Sequence, residues 1–397
     1  MPRVLRIINR LNLGGPTYNA AYLSKYLEPE FETLLVSGMK DDAEESSEFI
    51  VKNLDLHPVY MPEMYRELNP FRDYKSYYKL RKIIEEYKPD IVHTHAAKAG
   101  AVGRLAASHS GVPVILHTFH GHVFHSYFGP AKTRLFLEIE RYLAKRTTKI
   151  ITLSEIQKQE LSVQFKIAPL EKFEIIPLGF DLNKFEEAKE AKRKKFRTQY
   201  NVDEDEVAIG IVGRLVPIKN HALFLKALKT ISGQTQKKIR AFIIGDGEER
   251  KAIENLATEL GLSFNNQNLM EKNLLTFTSW LKDIDISNAG MDIITLTSNN
   301  EGTPVSLIEA QASGKPIVST KVGGIGDIVI EGETALLSAV GNEKAFAENL
   351  LCLVENDELR KQMSVRGSEF VRHKYSYTRL CNDMGQLYNK LLSSSKT

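Results

Sequence analysis

The chain has 397 residues, of which 42% are hydrophobic, so it is too long for one ordinary core and predicts two domains. Its 53 basic and 50 acidic residues give a net charge of +3, which is too balanced to indicate nucleic acid as the main partner. The two cysteines, Cys352 and Cys381, are too few for a disulfide framework and suit a reducing compartment.

The sequence begins with a short strand-like run at residues 1–8, which lacks the apolar core of a signal peptide. No stretch of the sequence is long and apolar enough to span a bilayer. We therefore expect a cytoplasmic protein. A peripheral position at the inner face of the cell membrane stays open as an alternative.

Short apolar, β-branched runs recur along the chain, and longer stretches with helical periodicity separate them. The first half has such runs at residues 4–8, 33–36, 90–93, 114–118, 149–153 and 173–177. The second half has them at residues 207–212, 241–244, 274–278, 291–297 and 316–320. Continuous apolar runs are typical of strands buried on both faces, so the pattern predicts an α/β protein with two parallel sheets wrapped by helices.

The join between the two predicted domains lies near residues 177–181, so we expect domains at 1–178 and 179–372 and a final segment at 373–397. Beyond the join, a highly charged helix is predicted at residues 183–200, with basic residues at Lys192, Arg193, Lys194, Lys195 and Arg197. A nucleic-acid or membrane patch is one interpretation of this run. Acidic residues stand immediately before it, which favours a solvated linker helix.

A glycine pair, Gly14 and Gly15, follows the first predicted strand and opens a helix predicted over residues 18–27. Paired glycines let the backbone approach a ligand closely, and a helix start favours an anion. A phosphate or acceptor loop is the functional interpretation. A tight connection is the structural interpretation, and the pair alone does not separate the two.

Histidines cluster near strand ends in the first half, at His93, His95, His117, His120, His122 and His125. The short spacings suggest metal binding, but no carboxylate falls within the cluster, so neither a metal site nor a cofactor is predicted. Histidines at strand ends also donate hydrogen bonds to polar ligands, and we expect this of His120. His93 and His117 are expected to be core or rim residues.

Two glycine-containing loops follow the first two strands predicted in the second half. Gly213 permits a turn, and Arg214 and Lys219 can supply a planar fork and a point charge to a diphosphate. Solvated surface cations are the alternative, but the position at the end of a buried strand favours function. Gly245 and Gly247 form a turn without the third glycine of a dinucleotide fingerprint, so we expect a close approach to a nucleotide.

Residues 298–316 place two carboxylates eight residues apart, with Glu301 in a turn after a strand and Glu309 about two turns into the next helix. Helical geometry returns Glu309 to the face of the turn, so both can reach one ligand. Gly302 and Thr303 lie between them, where a helix start offers free backbone N–H groups to phosphate. Two acceptors for hydroxyls beside an anion site predict a nucleotide-sugar pocket.

This constellation resembles the retaining glycosyltransferases of family 4, which have the GT-B architecture of two Rossmann-like parallel-sheet domains facing across a cleft. The resemblance covers nearly the whole chain. Five ordered elements carry it, namely Glu301 with Glu309, Gly213-Arg214 with Lys219, Gly323-Gly324, Gly14-Gly15 and residues 176–181.

The resemblance implies that Arg214 and Lys219 hold the donor diphosphate. It also implies that Glu309 accepts from the ribose hydroxyls, that Glu301 touches the transferred sugar, and that His120 contacts that sugar from the opposite domain. A nucleotide sugar, above all a UDP-sugar, would be the donor. Transfer would proceed with retention of configuration to a glycan, lipid-linked or small-molecule acceptor, without a divalent metal.

By the same resemblance, domain 1–178 would bind the acceptor, domain 179–372 the nucleotide sugar, and the final segment would cross back to the first domain. Two positions depart from the family pattern. Leu178 stands where asparagine is frequent, and Asp327 stands where glutamate is frequent after the glycine pair. Neither position carries the proposed catalysis.

Basic and aromatic residues mix at two places, which are Tyr74, Lys75, Tyr77, Tyr78, Lys79 and Lys82, and then Phe124, Tyr127, Phe128, Lys132 and Arg134. Such mixtures can seat on an anionic membrane, although amphipathic core helices have the same composition and are the favoured interpretation. A nucleotide-sugar epimerase of the same two-domain architecture is the main alternative function. A dinucleotide-dependent oxidoreductase and a sugar-binding module are further alternatives.

Overall fold

The computed structural model describes residues 1–12, 14–39, 47–65, 69–121, 129–266 and 271–395. The chain divides into two compact units, one of Met1–Phe180 with Tyr375–Thr397 and the other of Asp181–Lys374. Within the described ranges, no helix combines the length and the apolar character needed to cross a bilayer.

The first unit is built on a parallel sheet of seven strands in the order β3-β2-β1-β4-β5-β6-β7. The strands are β1 Arg3–Ile8, β2 Glu32–Gly38, β3 Val59–Met61, β4 Ile91–His95, β5 Val114–Thr118, β6 Lys149–Thr152 and β7 Phe173–Ile175. Helices from the same part of the chain are α1 Gly15–Tyr26, α2 Glu48–Asn53, α3 Pro70–Tyr87, α4 Ala97–His109, α5 Pro130–Lys145 and α6 Glu155–Gln159.

The second unit is built on another parallel sheet of seven strands, in the order β10-β11-β9-β8-β12-β13-β14. Its strands are β8 Val207–Val212, β9 Ile239–Ile244, β10 Phe264–Asn265, β11 Leu275–Ser279, β12 Ile293–Leu296, β13 Ile317–Thr320 and β14 Ala335–Ser338. Its helices are α7 Lys189–Gln199, α8 His221–Ser232, α9 Arg250–Glu259, α10 Ile284–Gly290, α11 Val305–Ala312, α12 Ile325–Ile328, α13 Glu343–Glu355 and α14 Asp357–Tyr375.

Each sheet has a switch point beside its first strand, where the chain passes from one side of that strand to the other. In the first sheet this switch point lies between β1 and β4, and in the second it lies between β8 and β12. Open parallel sheets bind ligands beyond the carboxyl ends of the strands at such a point. The loops that follow these four strands are therefore the positions where a ligand is expected in each unit.

The last helix, α15 Tyr377–Ser395, belongs to the first unit. Its buried face, which includes Leu380, Met384 and Leu387, packs with Val4 and Leu23 in one apolar cluster. Burial of a large aliphatic side chain contributes about 1.5–3 kcal/mol, so this face holds the helix firmly against the unit. 

The segment that leaves the first unit is held by the same helix. Arg379 Nη2 donates hydrogen bonds to the carbonyls of Pro177, at 2.8 Å, and Leu178, at 2.6 Å. The backbone N–H of Phe180 donates to the carbonyl of Tyr375 at 2.8 Å. Residues 177–180 are therefore fixed by residues about two hundred positions later in the chain.

The charged run after the join is not the solvated helix that the sequence predicts. It forms a short 3-10 turn at Asn183–Phe185 and then α7, and Ala188 between them has a φ of 51°. Arg197 is buried and its Nη2 lies 2.6 Å from Asp292 Oδ2. The prediction was wrong for one face of α7, because Arg193 and Arg197 there pair with Asp292, a half-buried carboxylate of the same unit.

Candidate active site

The switch point of the second unit joins the loop after β8 to the loop after β12. The backbone N–H of Asn299 donates to the carbonyl of Ile218 at 2.8 Å. Thr297 Oγ1 donates to the carbonyl of Lys219 at 2.8 Å. These bonds fix the backbone of the two loops against each other. The Cα positions of the side chains on these loops are therefore fixed as well.

Lys219 and Glu301 meet directly across this switch point. Lys219 Nζ lies 2.5 Å from Glu301 Oε1, and Ser298 Oγ donates to the same oxygen at 2.5 Å. The side chains of Lys219 and Glu301 are only 22% and 11% exposed, so water screens the pair weakly. A lysine ammonium has three N–H donors, and the pair leaves the others for a ligand.

Arg214, in the same loop as Lys219, is exposed. Its guanidinium makes neither an ion pair nor a hydrogen bond with any residue in the described part of the chain. A guanidinium offers several donors in a planar fork that fits two phosphate oxygens at once. The loop after β8 therefore presents one paired cation and one available cation.

Two glycines at this edge of the sheet allow neighbouring loops to come into backbone contact. A Cβ on Gly245, whose φ is +145°, would lie 1.9 Å from the carbonyl oxygen of Gly213. A Cβ on Gly323, whose φ is +46°, would lie 1.9 Å from the carbonyl oxygen of Glu301. No other residue type fits at these places, so the glycines found from the sequence set the spacing of the four loops.

The remaining predicted backbone positions lie at the same edge. A Cβ on Gly247 would lie 2.3 Å from the carbonyl oxygen of Leu215. Gly302 is exposed, and a Cβ there would meet no atom within 4 Å. Thr303 is half-buried and stands two residues before α11 begins at Val305.

Glu309 is the fifth residue of α11, so it lies just over one turn into the helix instead of the two turns expected. The helix begins later than predicted because Pro304 stands at its N-cap in an extended conformation. Burial raises the pKa of the Glu309 carboxyl to about 7, with Asp285 adding to the rise and Lys184 opposing it. Among the described residues, no hydrogen bond joins this carboxyl to Glu301.

In the first unit, Gly14 and Gly15 lie at the start of α1. The backbone N–H of Thr17 donates to the carbonyl of Gly14 at 3.2 Å. A Cβ on Gly15 would lie 2.8 Å from Leu178 Cδ1, and Leu178 is buried. The departure from the family pattern at Leu178 is thus accommodated by packing against a glycine.

His120, just after β5, is joined to a buried network of side chains that runs through β4 to β1. His120 Nε2 lies 3.0 Å from His95 Nδ1, and His95 Nε2 lies 3.3 Å from Arg6 Nη1. Arg6 Nη1 also lies 3.0 Å from His93 Nδ1. Burial lowers the pKa of His93 and His95 well below its ordinary value, and that of His120 to about 3.

The histidine cluster does not form a metal-binding set in the part of the chain that the structure covers. No group of three or more His, Cys, Asp or Glu side chains is arranged there to hold an ion. Thr94 Oγ1 lies 2.9 Å from His117 Nδ1, so this ring is engaged in the core. His122 and His125 lie outside the described residues.

Four residues near the site were not predicted from the sequence, namely Arg6, Ser298, Lys184 and Asp285. Arg6 carried a signal, because it is the only charged residue inside the apolar part of β1. Ser298 lies in the run that includes both glutamates, and a side-chain donor three residues before a carboxylate is a local pattern. Lys184 and Asp285 carried no signal, since only the fold brings them near Glu309.

Two units with Rossmann-like parallel sheets, each with a glycine-containing loop at the switch point, define the GT-B class of glycosyltransferase folds. The family described as "Glycosyltransferase Family 4" matches residues 13–184, and the family described as "Glycosyl transferases group 1" matches residues 192–370. The chain therefore belongs to the family 4 glycosyltransferases and is a glycosyltransferase.

Individual relatives agree with this assignment. The UDP-Gal:alpha-D-GlcNAc-diphosphoundecaprenol alpha-1,3-galactosyltransferase of Escherichia coli is 29% identical over 83% of this chain and 82% of its own length. The capsular polysaccharide biosynthesis glycosyltransferase CapM of Staphylococcus aureus is 27% identical over 87% of this chain and 88% of its own. The crystal structure of Anabaena Alr3699/HepE in complex with UDP has a TM-score of 0.80 and 19% identity, covering 98% of this chain and 100% of that chain.

Proposed function

We propose that this chain transfers a hexose from a UDP-sugar to a saccharide carried on a lipid diphosphate, with retention of configuration and without a divalent metal. The name of the Escherichia coli relative supports the choice of substrates, since that protein uses UDP-galactose and a GlcNAc-diphosphoundecaprenol acceptor. The UDP complex of the Anabaena protein supports a uridine donor.

The observation that carries the proposal is the placement of Lys219, paired with Glu301, beside the available guanidinium of Arg214. Both cations follow β8 at the switch point, where a parallel sheet binds its ligand. The leaving diphosphate gains negative charge as the sugar departs, and preorganised cations stabilise that charge. A site for this reaction needs such groups, whereas a sugar-binding module does not.

The other site residues complete the donor site. Glu309 accepts hydrogen bonds from ribose hydroxyls, and Glu301, held by Lys219, accepts from hydroxyls of the transferred sugar. Backbone N–H groups near Gly302 and Thr303 and the glycine turns face the nucleotide, and these turns comprise Gly213, Gly245 and Gly247. The roles of Glu309 and Glu301 follow the family resemblance, and the backbone positions follow from the glycine turns and the helix start.

The reaction breaks the bond between the anomeric carbon and the diphosphate oxygen and forms a bond from that carbon to the acceptor hydroxyl oxygen on the same face. The proton of the acceptor hydroxyl passes to the departing phosphate oxygen, so charge and atoms balance. Arg214 and Lys219 carry the charge of the diphosphate through both changes. Since two protein cations serve the diphosphate, addition of EDTA is expected to leave the rate unchanged, and a large loss would contradict the proposal.

The acceptor is assigned to the first unit. Gly14 and Gly15 open α1, a helix of twelve residues whose first turn contains no acidic residue. A helix N-terminus of this kind suits a phosphate of a lipid-linked acceptor. Replacing Gly14 by Asp is expected to raise the KM for the acceptor and leave the KM for the donor unchanged.

The decisive experiment offers UDP-, GDP- and ADP-sugars together with a GlcNAc-diphosphate-polyprenyl acceptor and measures the nucleotide released and the glycolipid formed. We expect UDP release that depends on acceptor and a product of the same anomeric configuration as the donor, determined by NMR. Variants Arg214→Ala and Lys344→Ala serve as the site variant and the surface control. Conversion of the donor sugar without any acceptor would identify an epimerase instead.

An exposed aromatic face on α3 favours a peripheral membrane position for this unit. Phe71, Tyr74 and Tyr78 lie on one side of the helix and are 83%, 62% and 50% exposed. Lys75 and Lys82 are exposed on the same helix. The other side of α3, with Leu80 and Ile84, is buried, as expected of the amphipathic core helix that the sequence favours.

Aromatic rings with neighbouring lysines suit the interface of an anionic bilayer, which would also carry the lipid-linked acceptor. Flotation with phosphatidylglycerol vesicles is expected to recover the protein at low salt. The triple variant Phe71→Ala, Tyr74→Ala, Tyr78→Ala is expected to stay unbound. Equal recovery of both proteins would remove α3 from the membrane proposal. Phe124, Tyr127 and Phe128 lie outside the described residues.

A further inference from the structure

Arg6 is a fully buried cation whose hydrogen-bond partners in the described part of the chain are all uncharged. Its Nε donates to Ser24 Oγ at 3.2 Å, and its Nη2 donates to the hydroxyl of Tyr388 at 3.2 Å. Its Nη1 faces both His93 Nδ1 and His95 Nε2. A buried guanidinium without a carboxylate is costly, so its position calls for a role other than stability.

Arg6 dictates which ring nitrogens of its two histidine neighbours carry hydrogen. A guanidinium has only donors, so each histidine nitrogen that it meets must be an acceptor without hydrogen. In neutral His93 the hydrogen therefore lies on Nε2, which is 2.7 Å from Thr118 Oγ1. In neutral His95 it lies on Nδ1, which is 3.0 Å from His120 Nε2.

The same reasoning applies to the contact between His95 and His120. Because His95 Nδ1 is the donor, His120 Nε2 is the acceptor, and neutral His120 must carry its hydrogen on Nδ1. Burial keeps the pKa of both rings far below neutrality, so the protonated forms do not compete at neutral pH. His120 Nδ1 is itself buried and has no hydrogen-bond partner among the described residues.

We propose that Arg6 is a positioning residue that acts through His95 to hold His120 in its Nδ1–H tautomer, which offers one fixed donor to a hydroxyl oxygen of the bound carbohydrate. A buried N–H group without a partner is unfavourable, and a ligand oxygen at Nδ1 removes that cost. The tautomer is a property of the free protein. Only the identity of the ligand as a carbohydrate rests on the proposed function.

The test reads the tautomers directly from the full-length protein labelled with ¹⁵N-histidine. Long-range ¹H–¹⁵N spectra distinguish a protonated ring nitrogen from an unprotonated one, and the variant His120→Asn assigns the signals of His120. In the unmodified protein we expect hydrogen on Nδ1 of His120 and a bare Nε2. Hydrogen on Nε2 would overturn the proposal, whether or not any variant folds.

Two variants and a control then distinguish an effect of Arg6 through His95 from a general effect on packing. Arg6→Met removes the donors, and His95→Phe removes the link to His120, so both are expected to shift His120 to the Nε2–H tautomer. Tyr388→Phe removes a hydroxyl that contacts Arg6 but keeps the bond from Arg6 to His95, so it should leave the tautomer unchanged. Unchanged spectra in Arg6→Met or His95→Phe would overturn the proposal that Arg6 acts on His120 through His95.

Kinetics supply an independent measurement. If His120 Nδ1 donates to the carbohydrate, Arg6→Met is expected to lower kcat about 10- to 100-fold, as loss of a residue that orients a functional histidine does elsewhere. The KM for the donor should stay within about twofold. If the unmodified protein transfers sugar but carries hydrogen on His120 Nε2, the proposed function stands and only this inference is overturned. If it has the expected tautomers but transfers no sugar, the tautomer assignment stands and the proposed function is overturned.

Discussion

Lys219 Nζ lies 2.5 Å from Glu301 Oε1, and this contact connects the loops after β8 and β12 at the switch point of the second sheet. The two residues are 82 positions apart, so the fold alone brings them together. Their charges compensate each other before a donor arrives. The pair is thus expected to act as one unit in which either residue depends on the other for its position.

Mutation of this pair is expected to give effects that do not add. Lys219→Ala and Glu301→Gln should each lower kcat by roughly 10²–10³, the usual effect of removing one preorganised group. The double variant should lose less than the product of the two, with a coupling of about 0.5–3 kcal/mol. The kcat values of the four forms measure this coupling.

The exposed pair of Lys226 with Glu343 provides the matched control, since its atoms are 2.6 Å apart on the same unit. Lys226→Ala is expected to change kcat by less than twofold, because exposed ion pairs contribute about 0–1 kcal/mol. If the losses in kcat from Lys219→Ala and Glu301→Gln simply multiplied in the double variant, the contact between the two residues would play no part in turnover.

Replacement of Arg214 should affect catalysis without affecting stability. Its side chain is exposed and unbonded within the described residues, so Arg214→Ala is expected to leave the Tm unchanged. The kcat should fall by about 10²–10³, or 2.7–4 kcal/mol. Arg214→Lys should recover part of the rate, because lysine supplies the charge but not the planar fork.

The control for Arg214 is Lys344→Ala, which removes another exposed cation of the second unit; among the described residues this lysine pairs only with Glu348, at 3.7 Å. Steady-state kinetics and thermal melting of the three variants complete the comparison. A kcat for Arg214→Ala within twofold of the unmodified protein would remove Arg214 from the diphosphate site.

The raised pKa of the Glu309 carboxyl predicts that the stability of the protein depends on pH. Burial raises the pKa of its carboxyl from 4.5 to about 7, so between these values the folded chain binds a proton that the unfolded chain has released. Stability contributed by this group is therefore lost as pH rises from about 4.5 to 7. The Tm of the unmodified protein should fall relative to that of Glu309→Gln between pH 5 and pH 8, as measured in matched thermal melts.

The same carboxyl should make donor affinity depend on pH in the opposite sense. An ionised carboxylate accepts ribose hydroxyls more strongly than a protonated one, so UDP should bind more tightly at pH 8 than at pH 6. Glu309→Gln should bind more weakly at pH 8 and show a flatter pH profile in calorimetry. A variant as tight as the unmodified protein at pH 8 would refute the ribose assignment.

Asp292 is expected to be a strong determinant of stability in the second unit. Its Oδ2 accepts from Arg197 at 2.6 Å and from the backbone N–H of Ala208 at 2.8 Å, and its Oδ1 accepts from Arg193 at 2.9 Å. Asp292→Ala removes the nearest carboxylate from the buried guanidinium of Arg197 and should cost about 3–5 kcal/mol. Urea unfolding followed by Trp280 measures this loss, because the single tryptophan lies in the second unit.

Asp205 offers a matched carboxylate on the surface, where it pairs with Lys238 at 2.7 Å with both side chains exposed. Asp205→Ala should change the free energy of unfolding by less than about 0.5–1 kcal/mol. If Asp292→Ala cost no more than Asp205→Ala, the buried cluster would have to be maintained by Arg197 and its backbone partners alone.

The sequence predicted the buried strands well, because a strand covered on both faces must be continuously apolar. It missed β3, β10 and β14, which are three of the edge strands of the two sheets. Val59 and Tyr60 of β3 are exposed, and β10 has only two residues, so neither presents an apolar run. Edge strands are recognised by their pairing partner, which a local pattern does not contain.

Site residues followed the same division. Glycines and charged residues directly after buried strands could be found from the sequence, and this is how Gly213, Lys219 and Glu301 were selected. The contacts among them depend on loops brought together by the sheet order. Arg6 meets Tyr388 over 382 positions, and no local pattern links two residues so far apart.

The placement of α15 in the first unit has a consequence for how the chain folds as it is made. All of Asp181–Lys374 is synthesised before Tyr388, so the chain of the second unit exists in full while the first unit still lacks its final helix. Until then, Arg6 and the apolar faces of Val4 and Leu23 stand open to water or to a chaperone. Although domains usually mature from the N-terminus onward, the first unit of this protein cannot complete its packing until the whole chain has been synthesised.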